Sequence, residues 1–179
     1  DISKIINKFL DNDEESSSIF NNLSTNLNIT IVKAYLDKAT FVNNLFGNIN
    51  FKNNKIDKLK LNSTFPNNKK LAFTINTNKN SEKITTFSSS YPKPLIKRYK
   101  FIKGFEEGVL DFYSIKKNES SKSVLVIDNF KVQEVPVLAK LLTLASLQGI
   151  ADLLTGEGIR FTDFEMKFSN KKGLMTIDE

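Results

Sequence analysis

From Leu27 onward the hydrophobic residues of this chain return at every second position, a period that demands extended backbone with one apolar and one polar side. Leu27, Ile29 and Ile31 alternate with Asn28 and Thr30. Leu45, Gly47, Ile49 and Phe51 then alternate with Phe46, Asn48 and Asn50. Asn53-Asn54 is a turn signal, after which Leu59, Leu61, Ser63 and Phe65 keep one parity. Pro66-Asn67-Asn68 turns the chain again into Leu71, Phe73, Ile75 and Thr77. Strands separated by such short turns pair with their sequence neighbours, so the pattern predicts a meander of consecutive antiparallel strands.

The remaining segments continue this plan with two interruptions. Asn78-Lys79-Asn80-Ser81 closes a hairpin into a short strand, Ile84 to Phe87, and Ser88 to Pro94 breaks the pattern before a brief helical stretch, Leu95 to Tyr99. Beyond Gly104 and Gly108, two longer strands are predicted, Val109 to Lys116 and Ser123 to Val132, joined by the polar loop 117–121. Ile159 to Phe168 and Leu174 to Ile177 read as closing strands. The beginning differs: Ile2, Ile5, Ile6, Phe9 and Leu10 recur at helical spacing, and an acidic, serine-rich loop follows from Asp11 to Ser18.

The second interruption is the longest helical segment, Val137 to Leu154, with Pro136 at its first turn and Gly156 and Gly158 past its end. Lys140, Thr143, Ser146, Gln148 and Asp152 are spread around it rather than collected on one side, so it is apolar nearly all round. A helix of this kind must be covered on several sides. It either plugs the core beneath the sheet or lines a lipid path, and a helix set into one end of an open groove does both. With Lys140 and Asp152 inside it, it is a poor membrane span.

Together these elements predict an α+β fold, mainly antiparallel β: a curved strand meander with one long apolar helix and short helices. The expected divisions are a helix and acidic loop over 1–20, the meander over 27–132, the apolar helix over 135–155 and closing strands over 159–179.

Composition narrows the chemistry. The sequence has no histidine and no cysteine, which removes disulfide frameworks, thiolate metal sites, imidazole proton shuttles and the usual nucleophile systems. Glu106, Glu107, Asp111, Asp128, Asp163 and Glu165 are available for acid–base work, but none has catalytic spacing, and Asp11 to Glu15 lacks the glycine and terminal glutamate of a calcium loop. No catalytic residue, metal or cofactor is therefore expected.

The net charge of +6 comes almost wholly from lysine, since Arg98 and Arg160 are the only arginines. Lysine lacks the rigid bidentate fork that suits phosphate, and no nucleic-acid-binding motif is present, so nucleic acid is not an expected partner. Lys93, Lys97, Arg98, Lys100 and Lys103 form a local basic patch. It is either a solvated turn or, through Lys97, Arg98 and Lys100, a contact for anionic headgroups. Asp1 in place of an initiator methionine, and a strand-like pattern running to the last residue, suggest a section of a longer protein.

The stretch from Phe130 through Pro136-Val137-Leu138-Ala139-Lys140-Leu141-Leu142, Ala145-Ser146-Leu147-Gln148-Gly149-Ile150 and Leu153-Leu154-Thr155-Gly156-Glu157-Gly158-Ile159-Arg160-Phe161 resembles the AsmA-like superfamily. Its closest likeness is to the YhdP-type branch of large cell-envelope proteins of Gram-negative bacteria. The continuation through Asp163 to Phe168 and Lys172-Gly173-Leu174-Met175-Thr176-Ile177 has the same order and spacing.

The resemblance implies a periplasmic segment of a protein anchored in the inner membrane by a part not present here. Its open β-groove would carry phospholipid acyl chains passively toward the outer membrane, with neighbouring segments of the same longer chain as partners. The lipid-facing residues would be Leu138, Leu141, Leu142, Phe161, Phe164, Met166 and Phe168. The competing expectations are a cell-envelope interaction module that carries no ligand and, from the basic charge alone, a nucleic-acid-binding domain.

Overall fold

The computed structural model describes residues 24–53, 55–99, 103–133 and 158–178. The strands are β1 (Thr25–Tyr35), β2 (Phe41–Lys52), β3 (Lys55–Thr64), β4 (Lys70–Thr77), β5 (Lys83–Ser89), β6 (Phe105–Lys117), β7 (Ser120–Val132), β8 (Ile159–Lys171) and β9 (Leu174–Asp178), with one helix, α1 (Lys93–Tyr99), between β5 and β6. They form a single nine-stranded sheet in strict sequence order, every neighbouring pair antiparallel. β1 and β9 do not pair with each other, so the sheet is open.

This corrects the α+β expectation. The described fold is dominated by β structure, and its helix is seven residues long rather than an extended apolar one. The cause is the period-two patterning itself, which spans most of the chain and leaves α1 as a connection. The helix predicted over Val137 to Leu154, the amphipathic start over Ile2 to Leu10 and the acidic loop after it lie outside the described residues.

Register turns the alternation of each strand into a property of the whole sheet. Leu27 faces Ile49, Ile49 faces Leu59, Leu59 faces Ile75, and Ile75 faces Thr85. Phe73, Phe87, Phe112, Leu125 and Met166 form a parallel row across β4 to β8. Because residues directly opposite in a pair point to the same side, these rows make one continuous apolar face. The reverse face carries Asn26, Asn28, Asn48, Asn50, Lys60, Thr74, Thr86, Asp111 and Glu165.

The pattern slips in step on neighbouring strands. Asn44 has φ of 51°, and beyond it both Val42 and its partner Ala34 turn inward to pack on Phe65. Glu107, Gly108 and Asn129 have φ of 63°, 83° and 49°, and beyond them Phe105 and Phe130 join the cluster of Leu110 and Ile127. Between β1 and β2 and between β6 and β7 the pairing register is unchanged through the slip, whereas β2 on β3 shifts by one residue near Asn44 and again between Asn50 and Phe51.

α1 closes one end. Ile96 packs with Phe105, Leu110, Ile127 and Phe130, while Arg98, two residues on, donates from Nη1 to the Leu36 carbonyl at 2.6 Å. A flat sheet would hold β1 and β6 about 24 Å apart, which two residues of helix with their side chains do not span. This end of the sheet is therefore drawn together, with α1 as the strap. At the opposite end the chain reverses through tight hairpins, such as Lys172-Gly173 with both φ positive, the twist-compatible two-residue turn.

Gly47 is the tightest point between β2 and β3. A Cβ there would sit 1.8 Å from the Lys60 carbonyl oxygen, a backbone atom that moves only if the strands part. We expect Gly47→Ala to lower the unfolding free energy by about 1–3 kcal/mol, measured by urea denaturation. An unchanged midpoint at unchanged slope would disprove this close approach.

Candidate functional site

The apolar face is the feature that stands out chemically. Its middle is packed: Phe51, Ile56, Leu59 and Ile75 are buried, with Ile49, Leu61 and Phe73 laid against them. Its flanks are open. Leu27 and Ile31 on β1 and Phe164, Met175 and Ile177 on β8 and β9 are all more than a third exposed. The reverse face exposes large apolar side chains as well, Phe46, Tyr113 and Leu174, between its polar ones.

Side chains on this face lean toward one another. Phe112 on β6 and Phe168 on β8 meet with ring centroids 6.4 Å apart, although two strand spacings amount to about 9.6 Å. They close over Ser123, whose hydroxyl donates to Ser114 Oγ at 2.9 Å and is small enough to let the rings pass. Phe105, Phe130 and Phe161 stack in series, with centroids 5.4 and 5.1 Å apart. The apolar face is thus the inner, concave one.

Of the residues predicted to face lipid, Phe164, Met166 and Phe168 lie in register on the apolar face opposite Ile127, Leu125 and Ser123. Phe161 sits at the strapped end in the aromatic stack. Leu138, Leu141 and Leu142 lie outside the described residues, as does Lys100. Lys97 and Arg98 are in the last turn of α1. Arg98 is the strap's tie to Leu36, and its charge helps hold the Asp37 carboxyl below its ordinary value, chiefly an effect of the hydrogen bonds that Asp37 accepts from the Ala39 and Thr40 amides.

The carboxylates singled out for acid–base chemistry are scattered or paired. Glu106 accepts from Lys93 Nζ at 2.6 Å. Glu107 lies 3.4 Å from Lys131 Nζ and 3.2 Å from Arg160 Nη1. Burial works to raise the Glu107 carboxyl, but hydrogen bonds and charge from Lys131 and Arg160 prevail and hold it below its ordinary value. Among the described residues no three acidic side chains lie together as metal ligands would, and no helix is long and apolar enough to cross a membrane.

On the polar face a wide depression of about 570 Å³ lies between Asn26, Asn28, Asn48, Asn50, Asp57 and Lys58. Asn50 donates to Asn26 across β1 and β2, so the amides satisfy one another.

No protein-family model matches the chain, and no curated protein or solved structure matches it.

Two features of the apolar face escaped sequence reasoning. One is the set of serines Ser89, Ser114 and Ser123, which join Ser63 at positions where alternation alone calls for bulk. The other is the lysine pair Lys83 and Lys116, directly opposite each other at the hairpin end. Their parity with Phe87 and Phe112 was the available signal.

Ser63 is almost fully buried, and its hydroxyl has no hydrogen-bond partner. An unsatisfied buried hydroxyl opposes folding, so Ser63→Ala is expected to stabilise the chain by about 1 kcal/mol. Thermal melting checks this, and a lowered melting temperature would show that the hydroxyl is bonded.

Proposed function

We propose that this chain is a section of a cell-envelope protein of the AsmA-like kind that conducts phospholipid between the inner and outer membranes, acyl chains lying along the apolar face and headgroups remaining wet. The observation that carries the reading is the register itself. Apolar side chains align across all nine strands on one concave side, with exposed apolar groups persisting at both flanks.

The physics of such a conduit is simple. Acyl chains gain about 0.8 kcal/mol for each methylene removed from water, and a lining of Leu, Ile and Phe offers no fixed polar anchor along the path. Chains held only by non-directional contacts slide from one row of side chains to the next. No bond is made or broken, so no nucleophile or acid–base pair is required. The periplasm is the compartment in which such a path joins the two membranes.

The scattered lysines give nucleic acid no continuous track to follow on the apolar side. An interaction module without ligand remains the reading to be tested against.

Purified chain is expected to copurify with phospholipid, seen by native mass spectrometry and by solvent extraction. Leu27→Asp and Phe164→Asp alter residues that are already partly exposed, so the strand signature in circular dichroism should persist while bound lipid falls about tenfold. Material that never carries phospholipid under gentle purification, or variants that load as fully as the parent, would sink the conduit and favour the interaction module.

A further inference from the structure

The rows that make the apolar face end in a different chemistry at the hairpin end. On β5 the inward positions run Phe87, Thr85, Lys83, and on β6 they run Phe112, Ser114, Lys116. The lysines are in direct register, so two like charges face each other across an antiparallel pair, an arrangement that opposes pairing. The row continues outward through Ser121 on β7 and Asn170 on β8, in register on the same side. Four hydrogen-bond donors thus line up across four strands, about 13 Å along the strand from the aromatic row of Phe87 and Phe112.

Anionic compensation is thin here. Among the described residues no carboxylate lies within 4.0 Å of Lys83, Lys116 or Lys55, whereas Lys117 engages Glu82 at 3.4 Å and Glu82 also accepts from Asn78 at 2.9 Å. Burial is the main influence pressing the Lys83 ammonium below its ordinary pKa; the charges of Lys116 and Lys55 add to it, and Asp57 opposes them. Lys83 is half-buried while Lys116 and Lys55 are exposed, so the crowded charge sits at the mouth of the face, open to solvent on one side.

We propose that Lys83 and Lys116, with Lys55, Ser121 and Asn170 around them, bind the phosphodiester of an anionic phospholipid whose acyl chains lie on the adjoining aromatic row. A phosphate between the two lysines replaces their repulsion with two charge-assisted hydrogen bonds. This inference rests on the phospholipid reading above and adds a fixed position and charge preference for the headgroup. Ser121 and Asn170 supply neutral donors for the remaining oxygens, and the 13 Å spacing from the rings suits a glycerol and the first carbons of a chain.

The test is titration of delipidated full chain with short-chain phosphatidylglycerol, short-chain phosphatidylcholine and glycerol 3-phosphate by calorimetry. Phosphatidylglycerol should bind most tightly, and Lys83→Gln and Lys116→Gln should each weaken it about fivefold while weakening phosphatidylcholine less, because its choline already offsets the phosphodiester charge. Lys83→Arg should retain binding. Both glutamine variants should melt at or above the parent temperature, because they relieve repulsion, which separates lost binding from lost folding.

Equal affinity for the two lipids, unaffected by either variant, would overturn the headgroup site and leave the conduit standing. Glycerol 3-phosphate binding as tightly as phosphatidylglycerol would assign the lysines to a free phosphate instead. Binding of no lipid at all would overturn both.

Discussion

Everything in this structure depends on cross-strand register. A strand with alternating polarity has an apolar side only relative to its partner, and one residue of slippage would send every Leu, Ile and Phe to the opposite face. Nine strands multiply that demand, because each of the seven inner strands must agree with two neighbours. At Glu107, Gly108 and Asn129 the facing strands depart from regular pleat together, whereas at Asn44 the pairing of β2 with β3 shifts by one residue. Gly108 admits its positive φ without strain, and asparagine is the side chain that best tolerates the left-handed region after glycine.

Register also explains why the two ends differ. At the strapped end the phase slips bring Val42, Phe65, Phe105 and Phe130 into closed clusters, and α1 ties β6 back toward β1 through Ile96 and Arg98. At the hairpin end β5 to β8 stay regular as far as their turns, so their side chains remain in rows. Lys83 and Lys116 therefore continue the line of Phe87 and Phe112 instead of folding into a cluster. One end is built for burial and the other presents polar groups at the margin of an apolar surface.

Much of this was legible in the sequence, and the limits were physical. Period-two alternation located the strands because it is a direct consequence of the pleat, and Asn53 and Asn68 marked turns through residues suited to positive φ. β1 was underestimated: its last residues, Val32-Lys33-Ala34-Tyr35, break the alternation at the phase slip, so the pattern ended at Ile31 while the strand runs to Tyr35. The α+β expectation failed by giving a helical pattern the weight of a fold-defining element when the described structure is a sheet. The lysine pair was invisible for another reason. Lys83 and Lys116 are 33 residues apart, and only the register of β5 on β6 sets them opposite each other.

The apolar face also shows how stability and access are divided along one surface. Its centre buries Leu59, Ile75, Leu110 and Ile127 almost completely, and those residues supply the hydrophobic term that holds the open sheet together. Toward β1 and toward β8 and β9 the same kinds of residue become exposed, where they add little to folding. Ser63, Ser89 and Ser123 are buried within this face, small side chains at points where their neighbours close over them. Ser114 and Ser123 keep each other bonded while letting the rings of Phe112 and Phe168 close above them. The same face thus combines a packed centre, exposed apolar side chains at Leu27, Ile31, Met175 and Ile177, and charge at its hairpin end through Lys83 and Lys116, and the register of the strands sets all three.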